Sequence, residues 1–490
     1  MRVQNLASRS TFLWALFISL YAYVIGMALA NRNFLLLIPL IGILFFLCFF
    51  QNIIEAGLFF LLIFSLFISM GTPEIEPLET NLIAIPFEVP GLFSRFTFPL
   101  IIILPLFVIW LLKDIPLKGL RIRLDKINLS LLTLLCIGLL SIIINPRATG
   151  NPKDNFLAIS LYFTCIAGYL LAADCIERSK GGGILNIMAF LIAMLSAAFI
   201  NTIFMVWLFV RSGAILWKDS AISVTLGGGC LGCFYILVIS VCLGIIFESS
   251  VSKWLKAALF FLSSFLLFGL ILNFARAAFV GMFASVSMIL FFRRKKNFAL
   301  FFGLAGLVLA YSPAWNLMLD IFTTRQIPSS YARFVVWKDA IGVFREHFFT
   351  GVGPGNYFFY PSFRGQYGQM ASAHNNYLQI AAEMGIFGLF VFLGFLFIAL
   401  REAISLYRTT ASKLFKSLSL AFIGTIAGVS VASIFGDFIL PAKENAGHVS
   451  IRATIYFWIL LGLVMGAKRV EQGENNQKKN VAQEDCATKR

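Results

Sequence analysis

Residues Lys256–Lys296 read KAALFFLSSFLLFGLILNFARAAFVGMFASVSMILFFRRKK. Two apolar runs, 256–273 and 276–292, meet across almost no loop and stop at four cations, Arg293, Arg294, Lys295 and Lys296. Each run approaches the roughly 20 residues a helix needs to cross the hydrocarbon core. Neither has the strict alternation of a membrane β-strand. The segment predicts two antiparallel transmembrane helices with an arginine at their turn.

The pattern recurs outward in both directions. Further spans are predicted near 11–30, 34–50, 53–70, 97–112, 127–145, 156–173, 184–210, 229–247, 298–318, 377–400, 417–440 and 451–467. The fold class is an all-α polytopic membrane protein of about 12–14 transmembrane helices, with one large, partly helical periplasmic loop. Composition agrees: of 490 residues 59% are hydrophobic and 13% charged, against about 45–50% and about 25% in soluble domains. The mean hydropathy is +0.88.

The net charge of +16 raises the question of nucleic acid, and the positions of the charges answer it. With the N-terminus inside and spans alternating, 25 of the 39 Lys and Arg fall on inside segments. These include Lys113–Lys126, Arg293–Lys296, Arg401–Lys416 and the tail from Lys468. This is the positive-inside bias, and the cations face anionic membrane lipids. No nucleic-acid partner is expected. The division is an N-terminal transmembrane bundle (1–318), a large periplasmic loop (319–376), C-terminal transmembrane helices (377–467) and a cytoplasmic tail (468–490). The tail's polar composition predicts disorder. The first span ends on Ala28-Leu29-Ala30, similar to a signal-peptidase site, but its apolar stretch is long and favours an uncleaved anchor.

The eight cysteines lie mostly in or near spans, and Cys230-Leu-Gly-Cys233 lacks a second pair or a nearby histidine. Small apolar packing residues are the simpler reading.

The polar chemistry gathers in 319–376 and at the Arg276 turn. After Pro328-Ser329-Ser330, a stop and an N-cap, residues Tyr331–His347 predict a helix. Arg333, Trp337, Ala340 and Phe344 fall on one face of it, which places a guanidinium on an apolar stripe. Such an arginine either meets an anion or snorkels to headgroups. The same alternatives hold for Arg276. Gly351-Val-Gly353-Pro-Gly355-Asn356 is either a tight turn or a set of backbone N–H groups for an anion. His374-Asn375-Asn376-Tyr377 stands where the loop re-enters the membrane. A lone histidine there is structural or moves a proton. Glu383 lies nine residues on, on the opposite side of a continuous helix, so a direct pair with His374 is not expected. A hydrogen bond to a neighbouring helix suits it.

Together these motifs resemble the O-antigen ligase and polymerase family. They are Asn273-Phe-Ala-Arg276-Ala-Ala, Arg333-x-x-x-Trp337-x-x-Ala340-x-x-x-Phe344, Gly351-Val-Gly353-Pro-Gly355-Asn356, and His374-Asn375-x-Tyr377-Leu378 with Glu383-x-Gly385 and Gly388. The resemblance covers roughly 270–390. It implies a GT-C-like membrane glycosyltransferase of the bacterial inner membrane, its active site facing the periplasm. The implied donor is a glycan on undecaprenyl diphosphate. The implied acceptor is a lipid A-core sugar for a ligase, or a growing glycan for a polymerase. Arg276 and Arg333 are the candidates for holding the diphosphate and opposing its charge. His374 is the candidate base toward the acceptor hydroxyl. No Asp-rich motif lies on the outer face, so a metal-independent, cofactor-free reaction is expected. A lipid-linked oligosaccharide transporter would instead place charges at mid-membrane in several spans and show repeats.

Overall fold

A computed structural model describes residues 53–66, 98–118, 125–145, 152–179, 183–211, 228–273, 275–293, 327–359, 372–441 and 447–488. The expected spans near 11–30, 34–50 and 298–318 lie outside these residues. Among the described residues there are helices and no strands. Nine helices among the described residues are long and apolar enough to cross a membrane: Lys126–Ile144, Asn155–Arg178, Ile184–Trp207, Cys230–Glu248, Lys253–Leu272, Arg276–Arg293, Asn376–Thr409, Lys413–Ala432 and Ile451–Glu474. Ile53–Phe64 and Pro99–Leu112 are shorter apolar helices at two of the other expected spans.

Small residues bring the helices together, as lipid offers no hydrophobic drive between them. We label α1 Arg276–Arg293 and α2 Lys413–Ala432. They cross so closely that a Cβ on Gly281 would stand 2.6 Å from the Gly428 carbonyl oxygen, and one on Gly428 2.6 Å from that of Gly281. On α1, Ser285 also shares a 2.7 Å hydroxyl hydrogen bond with Ser240 of the neighbouring Gly228–Glu248 helix.

The helix ends sort by charge. Arg469 pairs with Asp125 at 2.7 Å and Glu177 at 3.5 Å, Lys468 with Glu402, and Arg293 with Glu248 at 2.8 Å. Tyr407 also donates to Glu248, at 3.0 Å. Every one of these residues belongs to an end that the alternating arrangement assigns to the inside. Two helices that start at Arg276 and Asn376 reach this network only at their far ends, so their first residues lie on the opposite face. The tail departs from the expectation of disorder: helix Gly447–Thr488 runs through it without a break. Its sequence from Lys468 contains one glycine, Gly473, and no proline, so nothing in it stops a helix already started in the membrane.

The decisive irregularity is in α3, Asn376–Thr409, which breaks at Gly385 (φ 68, ψ −166). Breaking a helix in a membrane exposes backbone groups that must be satisfied by protein. The segment 347–353 does this. Val352 N–H donates to the Ala382 carbonyl (3.0 Å), Gly353 N–H to that of Glu383 (2.8 Å), and Ile386 N–H to that of Phe348 (2.8 Å). The approach requires glycine on both sides. A Cβ on Gly385 would meet the Phe349 carbonyl oxygen at 2.4 Å, and one on Gly351 the Glu383 carbonyl oxygen at 2.4 Å. Gly385→Ala is therefore expected to cost about 3 kcal/mol and to lower the thermal midpoint in detergent. Gly394→Ala, in the same helix with open space around it, serves as the control and should hold or raise it.

Candidate active site

The large loop is built on α4, Ile327–Glu346. It begins four residues earlier than the sequence suggests, because Pro328 sits in its first turn, where its missing N–H costs nothing. Its buried line is Val336, Ala340 and Val343, packed against Val352, Tyr357, Ala373 and Ala382. Tyr357 fixes the register by donating to the Val336 carbonyl at 3.0 Å. Arg333 and Trp337 lie at the edge of this buried face rather than at its centre.

That edge forms one wall of a cleft of about 210 Å³ lined by Arg276, Ala277, Val280, Arg333, Phe334, Trp337 and Phe435. Arg276 and Arg333, distant in sequence, thus share one apolar cleft. Arg333 reaches it from α4 and Arg276 from the first residue of α1. Burial, and then the charge of Arg276, hold Arg333 below the ordinary guanidinium value. Two cations facing each other across apolar surface make a place for an anion with a greasy attachment. Val280 is 41% exposed, which leaves the cleft open on its side of α1.

His374 is near enough to this cleft to feel the charge of Arg333. Burial, and then the Arg333 charge, push its pKa down to about 4. The imidazole is therefore neutral at neutral pH. Its backbone is left-handed, with φ 47, the one non-glycine case among the described residues. Such a conformation costs about 1–3 kcal/mol and persists only where neighbours impose it. Here Ser372 Oγ accepts from His374 N–H at 2.9 Å, and Gln379 Oε1 accepts from Ala373 N–H at 2.8 Å. Asn375 is a helix cap: its Oδ1 accepts from Tyr377 N–H (3.0 Å) and Leu378 N–H (3.1 Å) at the start of α3. His347 follows α4 directly, and its N–H donates to the Val343 carbonyl at 3.0 Å.

Glu383 holds the scaffold of the site. Its Oε1 accepts from Gly355 N–H at 2.9 Å and from Gln379 Nε2 at 2.8 Å, and its Oε2 from the Tyr162 hydroxyl at 3.3 Å. Tyr162 lies on the neighbouring helix Pro152–Arg178, the kind of partner the sequence suggested. The glycine segment is no anion cradle. The N–H groups of Gly351, Val352, Gly353, Gly355 and Asn356 all have acceptors within the protein. Among the described residues no three His, Cys, Asp or Glu side chains gather into a metal-binding group.

Sequence reasoning missed Ser372, Gln379, Phe435 and Asp437. Asp437 had a signal. It is a carboxylate in Ile434-Phe-Gly-Asp437-Phe-Ile-Leu, and the cost of ionisable groups at membrane depth applies to it as much as to Glu383. It is buried and accepts from the Ser372 hydroxyl.

Residues 258–393 match the O-antigen ligase family, an interval that contains Arg276, Arg333, His374 and Glu383. The chain is also similar to the teichuronic acid biosynthesis protein TuaE of Bacillus subtilis (strain 168), at 28% identity over 213 residues. That similarity covers 40% of this chain and 41% of the relative, so the chain spans about two fifths of the relative's length. With these motifs at one end of a helical bundle, the chain is a multi-pass membrane protein carrying an O-antigen ligase family domain.

Proposed function

We propose that the protein is a metal-independent glycosyltransferase that moves a glycan from undecaprenyl diphosphate to an acceptor sugar hydroxyl at the periplasmic face of the inner membrane. The observation that carries this reading is the convergence of two guanidinium groups in an apolar cleft beside a neutral histidine. The acceptor oxygen forms a bond to the anomeric carbon as the carbon–oxygen bond to the diphosphate breaks. That bond's electron pair leaves on the diphosphate, and the hydroxyl proton goes to His374. Arg276 and Arg333 oppose the growing negative charge, the task a divalent cation performs in other transferases. The apolar wall of Phe334, Trp337 and Phe435 suits the prenyl end of the donor.

The first reading of the acceptor is a lipid A-core sugar, which makes the protein a ligase. The name of the Bacillus subtilis relative, a teichuronic acid biosynthesis protein, favours a second, a polymerase with the same donor chemistry and a glycan acceptor. Deleting the gene and resolving the surface polysaccharide on a gel separates the two. Accumulated lipid-linked polymer marks loss of a ligase, single repeat units mark loss of a polymerase, and an unchanged pattern counts against both.

The orientation has its own test. In a background without the native cysteines, Cys replacing exposed Glu346 at the end of α4 should react with an impermeant maleimide in intact cells. Cys replacing exposed Ala411 should react only after permeabilisation. The reverse pattern overturns both the topology and a periplasmic active site.

A further inference from the structure

We propose that Ser372 and Asp437 are positioning residues that fix the His374 imidazole relative to the cleft by holding its backbone. The proposal rests on reading His374 as the base. His374 N–H and Ala373 N–H are consecutive donors, and each is taken by a side chain: Ser372 Oγ at 2.9 Å and Gln379 Oε1 at 2.8 Å. The two acceptors are anchored separately. Gln379 belongs to α3 and is held by Glu383 through a 2.8 Å hydrogen bond. Ser372 donates to Asp437, which follows the end of α2.

The chemistry gives Asp437 its part. A serine hydroxyl has one proton and two lone pairs. Donating that proton to Asp437 leaves only lone pairs to face the histidine N–H, so the carboxylate sets which way the hydroxyl points. Asp437 itself is 5% exposed among Phe438, Ile439 and Leu440, all buried. A carboxylate there carries a desolvation cost that a mere loop anchor of apolar residues would avoid. Phe435, two residues before it, lines the cleft. One short segment therefore both walls the donor site and orients the loop that carries the base. A displacement of this loop by about 1 Å can slow transfer about 10²-fold without touching the donor site.

The test uses the full-length protein in nanodiscs. The donor is glycolipid extracted from cells deleted for the gene, and binding is measured with undecaprenyl diphosphate alone. Ser372→Ala and Asp437→Ala should lower turnover about 10²-fold with undecaprenyl diphosphate affinity kept within about twofold. Ser372→Thr and Asp437→Asn, which keep the hydroxyl and an acceptor oxygen, should recover most of it. Adding Ser372→Ala to His374→Ala should cause no further loss, because the serine acts through the histidine. Carbethoxylation of His374, mapped by mass spectrometry, should change rate severalfold in Ser372→Ala and stay at the wild-type rate in Ser372→Thr. Multiplicative losses in the double variant, or an unchanged carbethoxylation rate in Ser372→Ala, overturn the proposal. If Asp437→Ala loses undecaprenyl diphosphate binding, Ser372→Ala, which removes one oxygen, decides alone. If His374→Ala keeps wild-type turnover, the base reading fails, and the carbethoxylation rates still decide whether Ser372 positions the ring.

Discussion

His374→Ala is expected to slow glycan transfer about 10²–10⁴-fold while undecaprenyl diphosphate binding stays near wild type. The division follows from the geometry, because the cleft is lined by the arginines and aromatic side chains, whereas the histidine is not part of its lining and is linked to it through the charge of Arg333. His374→Gln, which hydrogen-bonds but takes no proton, should be no faster. The pH profile carries the same signature. In the free enzyme the imidazole titrates at about 4, held down by burial and by Arg333. The neutral ring is the competent base, so kcat/KM should be flat through neutrality and fall as pH drops through about 4. A bound diphosphate puts negative charge beside Arg333 and removes part of the repulsion, which favours the protonated ring. The acid limb of kcat, which reports the donor complex, should then lie at higher pH than that of kcat/KM. His347→Ala, at the C-terminal end of α4, should leave both limbs in place. Wild-type turnover in His374→Ala, or an acid limb that survives it unchanged, removes the histidine from the mechanism.

How much of this was legible in the sequence depends on the range of the interaction involved. Span identity is written in local hydropathy: the run from Arg276 is a helix within a residue of its expected limits, and the run after His374 starts within a residue of its expected start but continues to Thr409, nine residues past its expected end. The facing of α4 was legible only in part. Periodicity put Arg333 and Ala340 on one stripe; Ala340 is on the buried line, but that line runs on through Val336 and Val343 and leaves Arg333 at its edge, with Tyr357 setting the register from outside the helix. The break at Gly385 was not legible. Glycine occurs in unbroken membrane helices too, and this one breaks because 347–353 arrives to satisfy its backbone. The same contact explains the glycine motif. Its spacing left a tight turn or free N–H groups open, and the N–H groups of Val352, Gly353 and Gly355 are taken by α3 while those of Gly351 and Asn356 close turns within the segment. The link from Asp437 to Ser372 spans 65 residues and has no local trace beyond a carboxylate in an apolar run. The continuous helix through the tail was hidden by a polar composition that also suits disorder.

The arginines should not tolerate lysine equally, and the difference follows from their burial. Removing either side chain, as in Arg276→Gln or Arg333→Gln, is expected to lower turnover about 10²–10³-fold, the usual effect of losing one group that stabilises transition-state charge. Lysine keeps a charge and loses the planar fork. Arg276 is the first residue of α1 and the less buried of the two, so an ammonium there stays hydrated and charged. Arg276→Lys should retain a measurable part of the activity. Arg333 is more deeply buried, on the edge of an apolar helix face and under the field of Arg276. An arginine in that position remains protonated because its intrinsic pKa is so high. A lysine begins about two to three units lower, and burial beside a like charge lowers it further. Arg333→Lys is thus expected to be partly neutral near pH 8 and to lose nearly as much turnover as Arg333→Gln. Lowering the pH toward 6 should return activity to Arg333→Lys by restoring the ammonium, whereas Arg276→Lys should show no such recovery. Undecaprenyl diphosphate affinity, measured across the same range, should follow the same order. Equal and pH-independent losses in the two lysine variants would mean that burial does not distinguish the arginines. Near-normal turnover in both would reduce the pair to headgroup anchors and leave the cleft without its proposed diphosphate.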